Sequence, residues 1–327
     1  MPAAPLAPDA PRARRRARFR VAFIAVTSAA TLAGTAALLA CAGEPGGPTA
    51  VADPPGAESP GSGVPGSPTP PPAPSTARID TIFRDDFESN TLASWDDGKD
   101  SPLHEVLADA ALAHGGSHVL RMTYPAGETG GWLTRWFMPG YDSLYVRYYV
   151  RFESNWTGGT KLLRVRGSRI DDRWSAFGTA GLCPDGYQWF STGVIAWPAK
   201  GDPGPLQLYS YYPAMAREDD GKTCWGRFGT GEATYYPPLT ASRGTWHKLE
   251  YWVKLNAPDA SDGAQRFWLD GVLRGEWSGI AFRKTTDLRL NSIMIDGSLT
   301  GVGAPPEPVT RHLYVDDIFV ATAKPPE

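Results

Sequence analysis

From residue 79 onward, apolar and polar residues alternate at every second position, in short runs separated by clusters of Gly, Pro and Asp. Successive side chains of an extended chain point to opposite faces, so this alternation marks strands with one buried face. In Tyr145–Phe152, Val146, Tyr148, Val150 and Phe152 share one face, while Tyr145, Arg147, Tyr149 and Arg151 share the other. Leu206 and Leu208 oppose Gln207, Tyr209 and Tyr211. In His247–Leu255, the residues Leu249, Tyr251, Val253 and Leu255 oppose Lys248, Glu250, Trp252 and Lys254. Arg266–Val272 carries Asp270-Gly271 as a hairpin turn, a pair suited to positive φ. Leu290–Ile295 and His312–Val320 complete the set, and Leu103–Ala113, the one helix-like stretch, lacks a good cap and reads mostly as strand. Gly 36 and Pro 31 in 327 residues exclude a mostly helical chain, because both residues break helices. Many short strands with tight turns imply an all-β sandwich, jelly roll or closed barrel.

The polar faces differ from ordinary solvent faces. All twelve Trp and thirteen Tyr fall after residue 78. Tyr149, Trp252 and Gln207 stand beside Arg147 and Arg151 where Thr, Glu and Lys would be usual. Aromatic rings stack on pyranose faces, and Arg and Gln hydrogen-bond carboxylates and hydroxyls, so such a face suits sugar binding. The competing reading is a second buried aromatic layer. A net charge of −3 argues against a nucleic-acid partner.

The first 78 residues are of another kind. Residues 1–40 hold six Arg between Arg12 and Arg20, then the charge-free stretch Val21–Leu39, the pattern of an export signal. The ending Leu38-Leu39-Ala40-Cys41 resembles the bacterial lipoprotein box, which implies a lipid on Cys41. An uncleaved membrane anchor is the alternative, since the stretch is just long enough to span a bilayer. Residues 41–78 are rich in Pro and Gly, with no aromatic residue, and cannot bury enough surface to offset their ordering entropy. The expectation is an exported bacterial lipoprotein, at the outer membrane or cell surface or on the periplasmic side, with a disordered tether before a folded domain, 79–327. The signal carries +5 and the tether −2, so the folded part is acidic, at −6. Cys183 and Cys224 form an even pair in an exported domain and are expected to be a disulfide.

Several segments follow one order: Tyr145–Phe152, Gly158-Gly159-Thr160-Lys161-Leu162, Leu208-Tyr209-Ser210-Tyr211, Gly244-Thr245-Trp246-His247-Lys248-Leu249, and Asp262-Gly263 to Asp270-Gly271. This order resembles the polysaccharide lyases of family fourteen and the related glucuronan lyases. The resemblance implies a concanavalin A-like β-jelly roll of two antiparallel sheets, acting on uronic-acid polymers of the alginate or glucuronan type. Lys161 matches the Lys of the family's Gly-Gly-Lys-Leu-Pro-Gly-Leu segment, with Thr160 inserted before it. Tyr209 and Tyr211 match its Tyr-x-Tyr pair. Leu163-Arg164-Val165 stands where Pro-Gly-Leu would be.

β-Elimination beside a uronate needs a cation for the carboxylate, a base for the adjacent proton and an acid for the leaving oxygen. Arg147, Arg151, Arg164, Arg166 and Lys161 are the candidate cations. Tyr209 and Tyr211 are the candidate acid and base, provided a neighbouring cation lowers a phenol. Strand alternation puts Lys161 on the face opposite Arg164 and Arg166 unless a bulge intervenes. His247 falls on the core side and reads as packed. The Glu-x-Asp-x-x-Glu strand of laminarinase-type hydrolases is absent from the sequence. Neither metal-type Cys/His spacing nor a His-carboxylate cluster is present, so no cofactor is expected to be required. If the first and last strands pair, Asp85, Asp86, Asp316 and Asp317 approach one another. Asp86 and Asp317 could then hold a structural Ca²⁺, the alternative being outward-facing edge carboxylates. The expected partner is a polysaccharide, and the expected state a monomer. Three functions compete: a surface-anchored lyase, a carbohydrate-binding jelly roll without catalysis, and a structural surface lipoprotein.

Overall fold

The computed structural model describes residues 79–197, 202–227, 234–300 and 308–326. The signal, the tether and Cys41 lie outside the described residues. Among those described there are fourteen strands and no helix. They are β1 (Thr81–Asp85), β2 (His104–Ala108), β3 (His118–Tyr124), β4 (Trp132–Tyr141), β5 (Ser143–Phe152), β6 (Thr160–Arg169) and β7 (Trp189–Ala196). Then follow β8 (Leu206–Leu208), β9 (Thr234–Tyr235), β10 (Trp246–Lys254), β11 (Gly263–Leu269), β12 (Val272–Ile280), β13 (Leu288–Asp296) and β14 (Arg311–Ala321).

The strands form two antiparallel sheets. The larger runs β2-β3-β14-β5-β10-β11-β12-β9, with β1 paired to β14, and the smaller runs β4-β13-β6-β7-β8. This is the two-sheet jelly-roll sandwich expected from the alternation. The core lies between the sheets. Val146, Tyr148 and Val150 from β5 and Leu249, Tyr251 and Val253 from β10 meet Leu163, Val165, Phe190, Val194, Ile293 and Ile295 of the smaller sheet, all nearly inaccessible to solvent. Asp270 and Gly271 both have positive φ and close the β11–β12 hairpin. His247 is buried, bonded to Asp270 and Ser242, as a packed histidine.

One polar network crosses this core. Gln265 of β11 accepts from Tyr251 (2.8 Å) and donates to Ser210 (2.8 Å), and Thr192 of β7 bonds Tyr251 (2.8 Å) and Ser210 (2.7 Å). Every member is buried and partnered, the condition under which a polar core group is tolerated. The network also sets a register. With Ser210 held in the core, its neighbours Tyr209 and Tyr211 must face the other way.

The smaller sheet departs from simple alternation in two places. Between Lys161 and Arg164, β6 advances three residues while β7 advances only two, from Ile195 to Gly193. The extra residue is a β-bulge at Leu162-Leu163, and both leucines enter the core. The expectation that Lys161 opposes Arg164 and Arg166 is thereby corrected: all three emerge on one face. The cause is visible in the residues, since two adjacent leucines flanked by cations can both be buried only if the alternation slips once. A second irregularity, at Asn291 of β13, is filled by its side-chain amide, which bonds both N–H and C=O of Ser168.

Cys183 and Cys224 form a disulfide across a sequence separation of 41. β1 pairs with β14. Asp85 stands opposite Ile318, next to Asp317, and the four end-strand carboxylates have their own hydrogen-bond partners. Asp85 accepts from Ser94 (2.6 Å), Trp95 (2.9 Å) and the Phe87 N–H (2.9 Å), and Asp316 accepts from the His114 N–H (2.9 Å). Asp317 bonds the His114 ring (2.7 Å), while Asp86 accepts from the Glu88 N–H (3.3 Å). Among the described residues no group of three or more His, Cys, Asp or Glu could hold a metal ion.

Candidate active site

The outer face of the smaller sheet carries a cleft of about 280 Å³. Lys161, Arg164 and Arg166 of β6 form its floor, Ser191 of β7 and Met294 and Asp296 of β13 flank them, and Tyr211 closes one side. Trp132, at the start of β4, and Trp225, beside Cys224, stand at the rim, 51% and 38% exposed.

Asp296 organises the floor. Its carboxylate is buried and lies 3.4 Å from Arg164, 3.9 Å from Arg166 and 4.0 Å from Lys161. Ser298 donates its N–H (3.0 Å) and hydroxyl (2.5 Å) to the other oxygen. Burial opposes the charge of Asp296 more than any single neighbour favours it, yet the three cations together hold the carboxyl below the usual carboxylate range. The same burial, reinforced by Arg164 and Arg166 and opposed by Asp296, lowers Lys161 to about 8. Arg166 falls to about 10, through burial and then Arg164. Three cations against one carboxylate leave a positive floor in an acidic domain, which suits a polyanion.

The tyrosines stand over these cations. The hydroxyls of Tyr209 and Tyr211 are 3.0 Å apart. The Arg164 guanidinium lies 5.5 Å from the Tyr209 ring centre and 5.9 Å from that of Tyr211, and the Lys161 ammonium 6.0 Å from Tyr209. Arg164 also donates to Ser191 at 2.5 Å. Two glycines make this packing feasible. A Cβ on Gly193 would lie 2.9 Å from the Arg164 backbone, and one on Gly226 would fall 2.6 Å from the Tyr209 ring. The expectation that a cation lowers the phenol is corrected for Tyr211. Burial, followed by Tyr209, pushes it well above its ordinary value, and Arg164 offsets only part of the rise.

Lys161, Arg164, Arg166 and Tyr211 are therefore brought together, with Tyr209 directly behind Tyr211. Gln207 is on the same face, two residues before Tyr209, and does not line the cleft. Arg147, Tyr149, Arg151 and Trp252 do not reach it. They belong to β5 and β10 of the larger sheet, whose inward face is the core, so their outward face is the opposite side of the sandwich. There Tyr149 stacks on His114 at 3.5 Å, Arg147 packs on Phe319, and Trp252 donates to Ser143. Alternation tells which residues share a face of one strand, but not which sheet the strand joins.

Sequence reasoning missed Asp296, Trp132, Trp225 and Ser191. Asp296 had a readable signal: a carboxylate directly after the apolar run Ile293-Met294-Ile295, in phase with Ser292 and Met294 rather than with the core residues Ile293 and Ile295. Trp225 had only its position next to a cysteine.

The family model described as polysaccharide lyase 14 matches residues 113–302, which include every residue of the floor and both tyrosines. Among solved structures, the marine alginate lyase from Aplysia kurodai superposes with a TM-score of 0.53 at 17% identity, covering 68% of this chain and 87% of that one. A double mutant of the alginate lyase Aly36B, in complex with alginate tetrasaccharide, gives 0.52 at 17% identity, covering 72% and 88%. The alginate lyase vAL-1 from a Chlorella virus gives 0.50 at 13% identity, covering 68% and 90%. At such identities these likenesses speak for the fold. No match was found among curated proteins. With more than half of its length, including the floor and both tyrosines, inside the family model, the chain belongs to the polysaccharide lyase 14 family.

Proposed function

We propose that this protein cleaves a uronic-acid-containing polysaccharide, of the alginate or glucuronan type, by β-elimination. The observation that carries this reading is the convergence of Lys161, Arg164, Arg166 and Tyr211 around buried Asp296 in one open cleft. Arg164 and Arg166 neutralise the uronate carboxylate, which stabilises the negative charge that develops when the adjacent C–H proton leaves. Lys161, lowered to about 8, is the base: a substantial neutral fraction exists near neutral pH, where an ordinary lysine has almost none. The electron pair of the broken C–H bond forms the C=C double bond and the glycosidic C–O bond breaks. Tyr211, held protonated by burial, donates to the leaving oxygen, and Tyr209 fixes its hydroxyl. Trp132 and Trp225 offer faces to sugar rings on either side.

Residues 1–78 complete the reading from sequence alone: export, a lipid on Cys41, and a tether that presents the domain to polymer outside the cell. Carbohydrate binding without turnover is the second reading. It is favoured by the pairing of Arg164 and Arg166 with Asp296, which engages donors that a substrate would otherwise use. One assay separates the two. The chain is incubated with a panel of polyuronates and followed by the ultraviolet absorbance of an unsaturated sugar end. Absorbance that is lost in Lys161→Ala and Tyr211→Phe supports the lyase. Binding with no absorbance on any polymer would sink it.

A further inference from the structure

From the cleft, a row fixed by strand register runs beneath the surface toward the edge of the smaller sheet. Tyr211 bridges to Ser191, Ser191 pairs with Arg166, Arg166 with Ser292, and Ser292 with Trp136 at the edge strand β4. Four inter-strand steps make this row roughly 19 Å long, so the surface above its far end is within reach of a chain of several sugar residues bound in the cleft. Its far end is aromatic. Trp136 meets Trp174 at 5.4 Å and Phe177 at 5.4 Å, and Trp174 meets Phe177 at 5.2 Å. Phe177 connects this group to the floor, since Arg166 lies 4.3 Å from its ring centre and donates to the Ala176 carbonyl at 3.0 Å.

Trp174 is 45% exposed although its edges are packed. Arg173, also exposed, holds its guanidinium 5.0 Å from the Trp174 ring centre and 5.6 Å from that of Trp136. Among the described residues no carboxylate lies within ion-pair distance of Arg173. The loop is braced by the Ser175 hydroxyl, which accepts from the Arg169 N–H (3.0 Å) and donates to the Gln188 carbonyl (2.7 Å). A preorganised ring with an unpaired guanidinium beside it matches one sugar unit that carries a carboxylate.

We propose that Trp174 and Arg173 form an outer subsite for a uronate residue of the chain bound in the cleft, Trp174 stacking on the pyranose and Arg173 holding the carboxylate. The proposal deepens the uronate reading above and rests on it. The subsite makes affinity depend on oligomer length, beyond what the central floor supplies.

The test uses the full chain with Lys161→Ala, so that oligomers are not consumed, and titrates oligomannuronates and oligoglucuronates from disaccharide to octasaccharide by calorimetry. Trp174→Ala is expected to weaken the longer oligomers about tenfold, and Arg173→Ala about threefold, with the loss growing with length and absent for the disaccharide. Trp174→Phe, which keeps a ring in the packing, is expected to recover most of the affinity. Equal weakening at all lengths, no weakening, or no binding of either series would overturn the subsite. The lyase reading is decided separately by product absorbance from the unsubstituted protein. Absorbance without a length effect overturns the subsite alone, and a length effect without absorbance overturns the lyase alone.

Discussion

Replacing Asp296 with Asn tests the electrostatics of the floor with almost no change of shape. Asn keeps an acceptor for the Ser298 N–H and hydroxyl but removes the one negative charge among Lys161, Arg164 and Arg166. For unit charges 4.0 Å apart, as Lys161 and Asp296 are, an effective dielectric of about 20 gives on the order of 4 kcal/mol of attraction. Relaxation and water entry reduce what is realised, but a quarter of it moves an equilibrium by most of a factor of ten. The sign follows from the base role. Asp296 favours the charged ammonium, so its loss favours neutral Lys161, and the lysine titrates below its present value of about 8. The rise of kcat/KM with pH is then expected to begin about 0.7 pH unit lower in Asp296→Asn, while the plateau falls because the arginines are no longer held. Two buried guanidinium groups left without their carboxylate also cost roughly 3–5 kcal/mol, a fall in Tm on the order of 10 °C for a domain of this size. Initial rates by product absorbance across pH, with thermal melts beside them, measure both. A pH profile that keeps its acid limb while the melt drops would refute the reasoning: Asp296 would then be structural, and Lys161 would not be the base.

Other outcomes follow from the same geometry. Breaking the disulfide with Cys183→Ser and Cys224→Ser is expected to cost about 4 kcal/mol by loop entropy, and to raise KM more than it lowers kcat, because the bond tethers Trp225 at the rim; steady-state kinetics with unchanged KM would contradict the second part. Gln265→Leu leaves Tyr251, Thr192 and Ser210 short of their shared partner, so a loss of roughly 2–3 kcal/mol in denaturant melts is expected, together with a lower kcat as the Tyr209–Tyr211 segment loosens. Trp252→Ala, on the opposite side of the sandwich, is expected to leave kcat/KM on polymer within about twofold, and a larger loss without a matching loss of stability would place substrate on that face. Lys161 also leaves a mark on stability. Its folded value lies below its unfolded one, so the unfolded chain binds more protons between about pH 8 and about pH 10.5; across that window stability is expected to rise with pH, and urea melts of Lys161→Met are expected to lack the rise.

The strand phases were legible because alternation is a local property: Val146, Tyr148 and Val150 face the core whatever the rest of the chain does. The disulfide was legible from parity and compartment, and Lys161, Tyr209 and Tyr211 from the order of short motifs. Three things could not be read in this way. Whether β5 and β6 lie in the same sheet depends on long-range pairing, and that alone put Arg147, Tyr149 and Arg151 behind the sandwich and Arg164 and Arg166 in the cleft. The bulge at Leu162-Leu163 reversed one phase, because burying both leucines is worth more than keeping the ladder regular. Asp296 carries no motif. Its meaning comes from three cations on a neighbouring strand more than a hundred residues earlier, and from burial that makes each of those charges need the others. The sequence by itself determined an all-β, aromatic-rich domain with a lysine and a tyrosine pair suited to uronate chemistry. The tertiary structure decided which cations share that site, because charge compensation in a buried place depends on distance in space and not on distance along the chain.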